Sequence, residues 1–174
     1  LIAREMIDRG DITRLCVVCP PYLCDQWQKE LAEKFHIHAE VVRSGTVGRL
    51  ERELTGDKSI YEYYPFTVVS IDFVKSDKNR ANFLHFCPDF VIVDEAHGAA
   101  HSSTKSTNQQ QRHQLLKDLA AKKERDMIFL TATPHSGVEG SFLSLLGLIK
   151  PEFAKYNLTQ MDEKQRIALS QHFV

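Results

Sequence analysis

Two adjacent carboxylates, Asp94 and Glu95, directly follow the apolar run Phe90–Val93. An unbroken apolar run of this length is typical of a strand that is buried on both faces of a parallel sheet. The carboxylates then lie at the carboxyl end of the strand, where open α/β sheets bind their ligands. One carboxylate could hold a hydrated Mg²⁺ while the other orients or deprotonates a water that attacks a phosphoryl group. The alternative is an acidic turn without chemistry.

The composition gives no global preference for a charged partner. The chain has 174 residues, with 22 Lys and Arg against 23 Asp and Glu, so its net charge is −1. This length suits one domain with a sizeable core, and contact with a nucleic acid would need a local patch. No stretch reaches the roughly 18 apolar residues of a membrane span, and no signal-peptide pattern is visible. We therefore expect a cytoplasmic protein with no membrane segment.

Metal binding through cysteine or histidine is disfavoured. Cys16 and Cys19 have CxxC spacing, but the apolar residues around them predict a strand. On a strand this odd spacing sends the two side chains to opposite faces. No second pair completes four zinc ligands, and the eight histidines show no HExxH spacing, so we expect buried, free cysteines.

Apolar periodicity predicts alternating strands and helices. Strands are predicted over residues 14–19, 39–42, 66–71, 90–93 and 127–130, and helices over 1–9, 22–35, 47–54, 77–86, 114–121, 142–149 and 162–174. The first half of residues 98–111 is predicted to be a surface loop. Strands that alternate with helices predict an α/β domain with a mainly parallel sheet.

Polar clusters follow four of the predicted strands, and in a parallel sheet they would gather along one edge. The clusters are Cys19-Pro20-Pro21, Ser70-Ile71-Asp72, Asp94-Glu95-Ala96-His97 and Thr131-Ala132-Thr133-Pro134. Their convergence strengthens the interpretation of Asp94 and Glu95 as part of a functional site.

These clusters, in this order and with Gln26-Trp27 after the first, resemble the first motor domain of a superfamily 2 helicase, and especially the Swi/Snf-like DNA translocases of bacteria and archaea. The resemblance implies a RecA-like three-layer domain of the P-loop NTPase type over residues 1–151. It also implies a helical extension toward a second motor domain over residues 152–174. Residues 135–148 look like helicases of bacterial defence systems, so defence-system subunits are possible partners.

The resemblance also implies roles for individual residues. Asp94 would bind Mg²⁺ through water, and Glu95 would position the water that hydrolyses ATP. His97 would bond toward Thr131 or Thr133 and link the nucleotide site to motion at the sheet edge. The alternatives are that His97 only caps a helix and that the two threonines only hold a turn.

The side facing the backbone of double-stranded DNA would be lined by Pro20, Pro21, Gln26, Ser70 and Asp72. Such contacts follow phosphates without reading sequence. Trp27 shares a four-residue spacing with Leu23, Leu31 and Phe35, which favours core packing over base stacking. Residues 122–125 are interpreted as a solvated helix end, with a weak DNA contact as the alternative.

The main departure from the family is the absence of a GxxxxGK(S/T) phosphate loop. Gly56-Asp57-Lys58-Ser59 is the nearest imitation, and we interpret it as a surface turn. In the family this loop precedes a helix like residues 1–9, so we expect an incomplete ATP site and an inactive isolated chain. The alternatives are an RNA helicase, a restriction-enzyme motor subunit, or a non-catalytic nucleic-acid-binding module with a degenerate ATPase fold.

Overall fold

A five-stranded parallel sheet lies at the centre of the computed structural model, which describes residues 1–99, 106–132, 139–157 and 160–172. The strand order is β2-β3-β1-β4-β5 and every pairing is parallel. The strands are β1 (Leu15–Cys19), β2 (Glu40–Val42), β3 (Phe66–Ser70), β4 (Phe90–Val93) and β5 (Asp126–Phe129). The predicted α/β class and parallel sheet are confirmed.

Helices cover both faces of the sheet, as a RecA-like three-layer domain requires. Helices α1 (Ile2–Arg9) and α2 (Cys24–Phe35) pack on one face. The other face is covered by α3 (Val47–Glu53), α4 (Ile60–Tyr63), α5 (Ile71–Val74), α6 (Asp77–Phe86) and α7 (Thr107–Ala120). A third apolar cluster joins α8 (Glu139–Ile149), a 3-10 helix (Pro151–Lys155) and α9 (Glu163–Ser170).

The cysteines of β1 point to opposite faces, as their spacing predicted. Cys16 belongs to the cluster under α3 to α7, and Cys19 belongs to the cluster under α1 and α2. All four cysteines are free and buried. Burial raises the pKa of the Cys16 thiol well above its usual range, so this thiol stays protonated and inert.

Two short helices and the beginning of a third were not predicted. A capping box begins α4: the Ser59 hydroxyl accepts from the backbone N–H of Tyr61, and the Glu62 carboxylate accepts from the backbone N–H of Ser59. Helix α7 begins at Thr107, seven residues before the predicted beginning at residue 114, and this part was missed because its first two turns are polar and carry no apolar period. Residues 96–99 form a 3-10 turn, while residues 100–105 lie outside the described part. None of the described helices is both long and apolar enough to cross a membrane.

His36 ends α2 in the left-handed conformation, with a φ of 54°. This conformation costs a residue with a side chain about 1–2 kcal/mol, and Gly10 occupies the equivalent position after α1. We expect His36→Gly to raise the free energy of unfolding by about 1 kcal/mol, measured by urea denaturation. His38→Gly is the control, since His38 is exposed and has no positive φ. A His36→Gly protein no more stable than the wild type would contradict the prediction.

Candidate functional site

The carboxyl ends of the central strands meet at one edge of the sheet. Cys19 pairs with Ser70, and Val93 pairs with both Val18 and Phe129. The loops that follow these strand ends therefore begin side by side. This topology brings the predicted clusters after β1, β3 and β4, and Thr131 and Ala132 after β5, to a common edge.

Both carboxylate oxygens of Asp94 accept a hydrogen bond from within the chain. Oδ1 accepts from the backbone N–H of Glu95 at 2.8 Å, and Oδ2 accepts from the indole N–H of Trp27 at 2.8 Å. The backbone N–H of Asp94 donates to the carbonyl of Val18 at 2.8 Å, which extends the ladder of the sheet. The carboxylate is thus held in one orientation. Its two oxygens offer about four lone-pair sites in all, so it can still accept bonds from water.

Glu95 has a strained backbone and an unsatisfied side-chain oxygen. Its φ of 53° is left-handed, which costs a residue with a side chain about 1–2 kcal/mol. The next residue, Ala96, donates its backbone N–H to the carbonyl of Leu130 at 3.0 Å and ties the loop to the end of β5. Oε2 of Glu95 is buried and accepts no hydrogen bond from the described residues. This oxygen faces His97 and has no surface open to solvent.

His97 lies between Glu95 and Thr131. Its Nδ1 is 3.0 Å from Oε2 of Glu95, without the geometry of a hydrogen bond, and 3.2 Å from Oγ1 of Thr131. The tautomer of the ring decides whether Nδ1 donates to the hydroxyl or accepts from it. The structure thus brings His97 and Thr131 together, and their role in coupling stays a prediction. Thr133 lies outside the described residues.

A cleft of about 380 Å³ opens beside these residues. It is lined by Pro20, Pro21, Tyr22, Asp72, Glu95, His97, Gly98 and Arg112. The cleft therefore joins the Glu95 carboxylate to the Pro-Pro segment that was predicted to face a nucleic acid.

Asp72 anchors two cations at the wall of this cleft. Its Oδ1 accepts from Nζ of Lys75 at 2.7 Å and from Nε and Nη2 of Arg112 at 3.0 and 2.7 Å. Partial burial raises the pKa of Asp72, but the hydrogen bonds from Lys75 and Arg112 outweigh it and hold the pKa below its usual value. Asp72 thus fixes α5 to α7 and positions Arg112 at the cleft.

The lowered pKa of Asp72 predicts a loss of stability in acid. The contribution is complete above the unfolded pKa of about 3.9 and disappears as the pH falls through the lower folded value. We expect Asp72→Asn to lower the free energy of unfolding at pH 7 by roughly 1 kcal/mol and to flatten its decline below about pH 5. The measurement is urea denaturation across pH 3–7. Asp57→Asn, in an exposed turn, is the control, and equal acid profiles for all three proteins would refute this role.

The other predicted nucleic-acid residues differ in accessibility. Pro21 and Gln26 are exposed, and the Gln26 amide donates to Glu30 at 3.1 Å. Pro20 is buried, and Ser70 is 2% exposed. Their nucleic-acid contacts stay predictions, and the exposed residues are the better placed of the set.

Sequence reasoning missed two residues that contact the site, Trp27 and Arg112. A half-buried indole needs an acceptor for its N–H, and this requirement was the available signal for Trp27. Arg112 carried no signal, because it lies in the polar beginning of α7 and meets Asp72 across 40 residues of sequence.

Comparison with known proteins decides the family, because residues 2–167 match the SNF2-related domain. The chain belongs to the SNF2-related domain family. An uncharacterized ATP-dependent helicase, YqhH of Bacillus subtilis, is 31% identical over 151 residues, which are 87% of this chain and 23% of that protein. The RNA polymerase-associated protein RapA of Sodalis glossinidius is 29% identical over 171 residues, which are 97% of this chain and 17% of RapA. This SNF2-related chain thus spans less than a quarter of either relative.

A solved structure supports the fold of this SNF2-related chain. The Sulfolobus solfataricus SWI2/SNF2 ATPase core in complex with dsDNA superposes with a TM-score of 0.62. The match covers 97% of this chain and 34% of that chain at 16% sequence identity, so it speaks for the fold alone.

Proposed function

We propose that this chain is part of the first RecA-like domain of an SNF2-type motor that couples ATP hydrolysis to movement on double-stranded DNA. The observation that carries the proposal is the Asp94–Glu95 pair at the end of β4: Glu95 and His97 line one cleft, and His97 lies within 3.2 Å of Oγ1 of Thr131. The name of YqhH adds ATP dependence and helicase activity, and the structural neighbour, which was solved with dsDNA, adds a duplex DNA ligand. A second RecA-like domain and, in some systems, defence subunits complete the proposed set of partners.

The residues at the end of β4 can supply part of an Mg²⁺ site. Mg²⁺ usually keeps several waters and is held by one or two carboxylates together with substrate phosphates. Asp94 offers one oriented carboxylate with lone pairs to spare, and no group of three His, Cys, Asp or Glu ligands occurs among the described residues. Asp94 would therefore contact the hydrated ion through its waters.

The chemistry divides between the two carboxylates. When bound, Mg²⁺ would neutralise charge on the phosphate oxygens. Asp94 keeps its carboxylate oriented through Trp27 and the Glu95 N–H. Glu95, whose side chain lines the cleft, accepts a hydrogen bond from the attacking water on its carboxylate and takes up the proton as the water attacks. His97 lies between this carboxylate and Thr131 at the end of β5, so loss of the terminal phosphate could change the position of Thr131.

The phosphate-binding contacts come from outside these residues in this proposal. The 174 residues contain no GxxxxGK(S/T) sequence, and Gly56-Asp57-Lys58-Ser59 lies in a turn between α3 and α4, where Lys58 and Ser59 line a different cleft. Phosphoryl transfer depends on positioning and charge stabilisation, so the isolated chain is expected to be inactive. The four free cysteines suit a reducing cytoplasm, where we place the motor.

The test is ATP turnover by the natural protein that contains this chain, measured with and without nucleic acid. We expect duplex DNA of any sequence to stimulate turnover, since the contacts are with the phosphate backbone. Stimulation by single-stranded RNA instead would favour an RNA helicase. Failure to hydrolyse or bind ATP would favour a non-catalytic module, and either result would overturn the proposal.

A further inference from the structure

Trp27 and Asp94 are 67 residues apart in sequence, yet the indole N–H donates to Oδ2 of Asp94 at 2.8 Å. Trp27 is the chain's only tryptophan. It is half-buried and packs against the apolar cluster under α1 and α2. The side chain therefore has two contacts of different kinds: its ring belongs to the core, and its N–H reaches a carboxylate at the candidate site.

The indole bond completes the orientation of the Asp94 carboxylate. The Glu95 N–H already holds Oδ1, so a second donor on Oδ2 stops the carboxylate from rotating about its last bond. An ion that is contacted through water depends on this orientation, because the carboxylate must meet waters whose positions the ion fixes. Partners that orient a side chain bound directly to a metal typically contribute 10- to 100-fold to metal affinity, and we expect the lower end of that range for a carboxylate that meets the ion through water.

We propose that Trp27 is a positioning residue for Mg²⁺ binding, acting through the orientation of Asp94. This inference rests on the proposed function, in which Asp94 contacts hydrated Mg²⁺. If Trp27 served only for packing, its loss would loosen α2 but would not change the Mg²⁺ concentration needed for nucleotide binding. The two roles are therefore separable by substitution.

The test uses the natural protein that contains this chain and a fluorescent ADP analogue. The quantity measured is the Mg²⁺ concentration that gives half-maximal nucleotide binding. Trp27→Phe keeps an aromatic ring in the core, removes the N–H donor and reduces the size of the ring, and the loss of packing is tested by the control below. We expect it to raise the Mg²⁺ requirement about tenfold and to leave binding without Mg²⁺ unchanged.

Leu31→Val is the matched control, because Leu31 is buried on the same helix and packs in the same cluster. It should leave the Mg²⁺ requirement as in the wild type. An unchanged requirement in Trp27→Phe, or an equal rise in Leu31→Val, would overturn the inference.

Asp94→Asn separates failure of the inference from failure of the proposed function. If Asp94→Asn leaves the Mg²⁺ requirement unchanged, the proposed role of Asp94 itself is wrong. If it raises the requirement, the double variant with Trp27→Phe should be no worse than Asp94→Asn alone, since both act through one carboxylate. Fully additive effects would show that Trp27 acts elsewhere and would overturn the inference.

Discussion

Glu95→Gln in the natural protein that contains this chain is expected to lower ATP turnover by roughly 10²- to 10⁴-fold, the range typical of a general base. The substitution keeps the size of the side chain but removes the negative oxygen that would accept the proton of the attacking water. The Glu95 side chain lines the cleft beside His97, where a water could reach its carboxylate. Nucleotide affinity should change little, because Glu95 is not assigned to phosphate or Mg²⁺. Phosphate release and binding of an ATP analogue measure the two effects separately.

Glu124→Gln is the matched control for charge, since Glu124 is an exposed glutamate in the turn before β5. It should hydrolyse ATP at the wild-type rate. Turnover of Glu95→Gln within a factor of about three of the wild type would remove Glu95 from its role as base, because general bases contribute far more than that.

Arg125→Met is expected to lower the free energy of unfolding by roughly 3 kcal/mol, because several buried carbonyls would lose their hydrogen-bond donor. Arg125 is 8% exposed and donates to the carbonyls of Leu119 at 3.0 Å and Pro88 at 3.2 Å. It therefore joins the end of α7 to the loop before β4. Methionine fills a similar volume but donates nothing, so these buried carbonyls lose their partner. Urea denaturation measures the change.

Lys123→Met is the control, because Lys123 is exposed and only two residues away. It should change stability by less than about 0.5 kcal/mol, as surface substitutions do. Arg125→Lys should fall in between, since a single ammonium cannot reproduce the fork of a guanidinium. Equal stability of Arg125→Met and Lys123→Met would contradict a structural role for Arg125.

Arg125 also marks where charge patterning fails. The sequence Lys122-Lys123-Glu124-Arg125 predicted a solvated helix end, and this was wrong for Arg125. Its neighbours in the run are exposed, but the turn directs Arg125 inward to three carbonyls. A run of charges does not tell which member faces the core when the helix has already ended.

The sheet was predictable because its strands are buried on both faces. The run Phe90–Val93 was predicted to the residue, and the other strands were predicted to within one residue at each end. Such strands are short and continuously apolar, so their limits are visible in composition. Once the strands are parallel, the convergence of the following loops is a consequence of topology.

Contacts between distant parts of the chain were not predictable in the same way. Periodicity assigned Trp27 to the core, but it could not show that the indole N–H reaches Asp94. The ion pairs of Asp72 with Lys75 and Arg112 likewise depend on how α5 and α7 lie together. The capping box of Ser59 and Glu62 is different, since its S-x-x-E spacing is visible in the sequence. Helix α4 was not predicted because it is only four residues long and shows no apolar period.

A structure of the natural protein with Mg²⁺ and a non-hydrolysable ATP analogue would test the roles of Asp94 and Glu95 in ATP hydrolysis. Asp94 is expected to contact the ion through its waters. The Glu95 carboxylate is expected to lie within hydrogen-bond reach, about 2.6–3.2 Å, of a water in line with the terminal phosphate. An ion and phosphates bound away from the carboxyl end of β4 would contradict both roles.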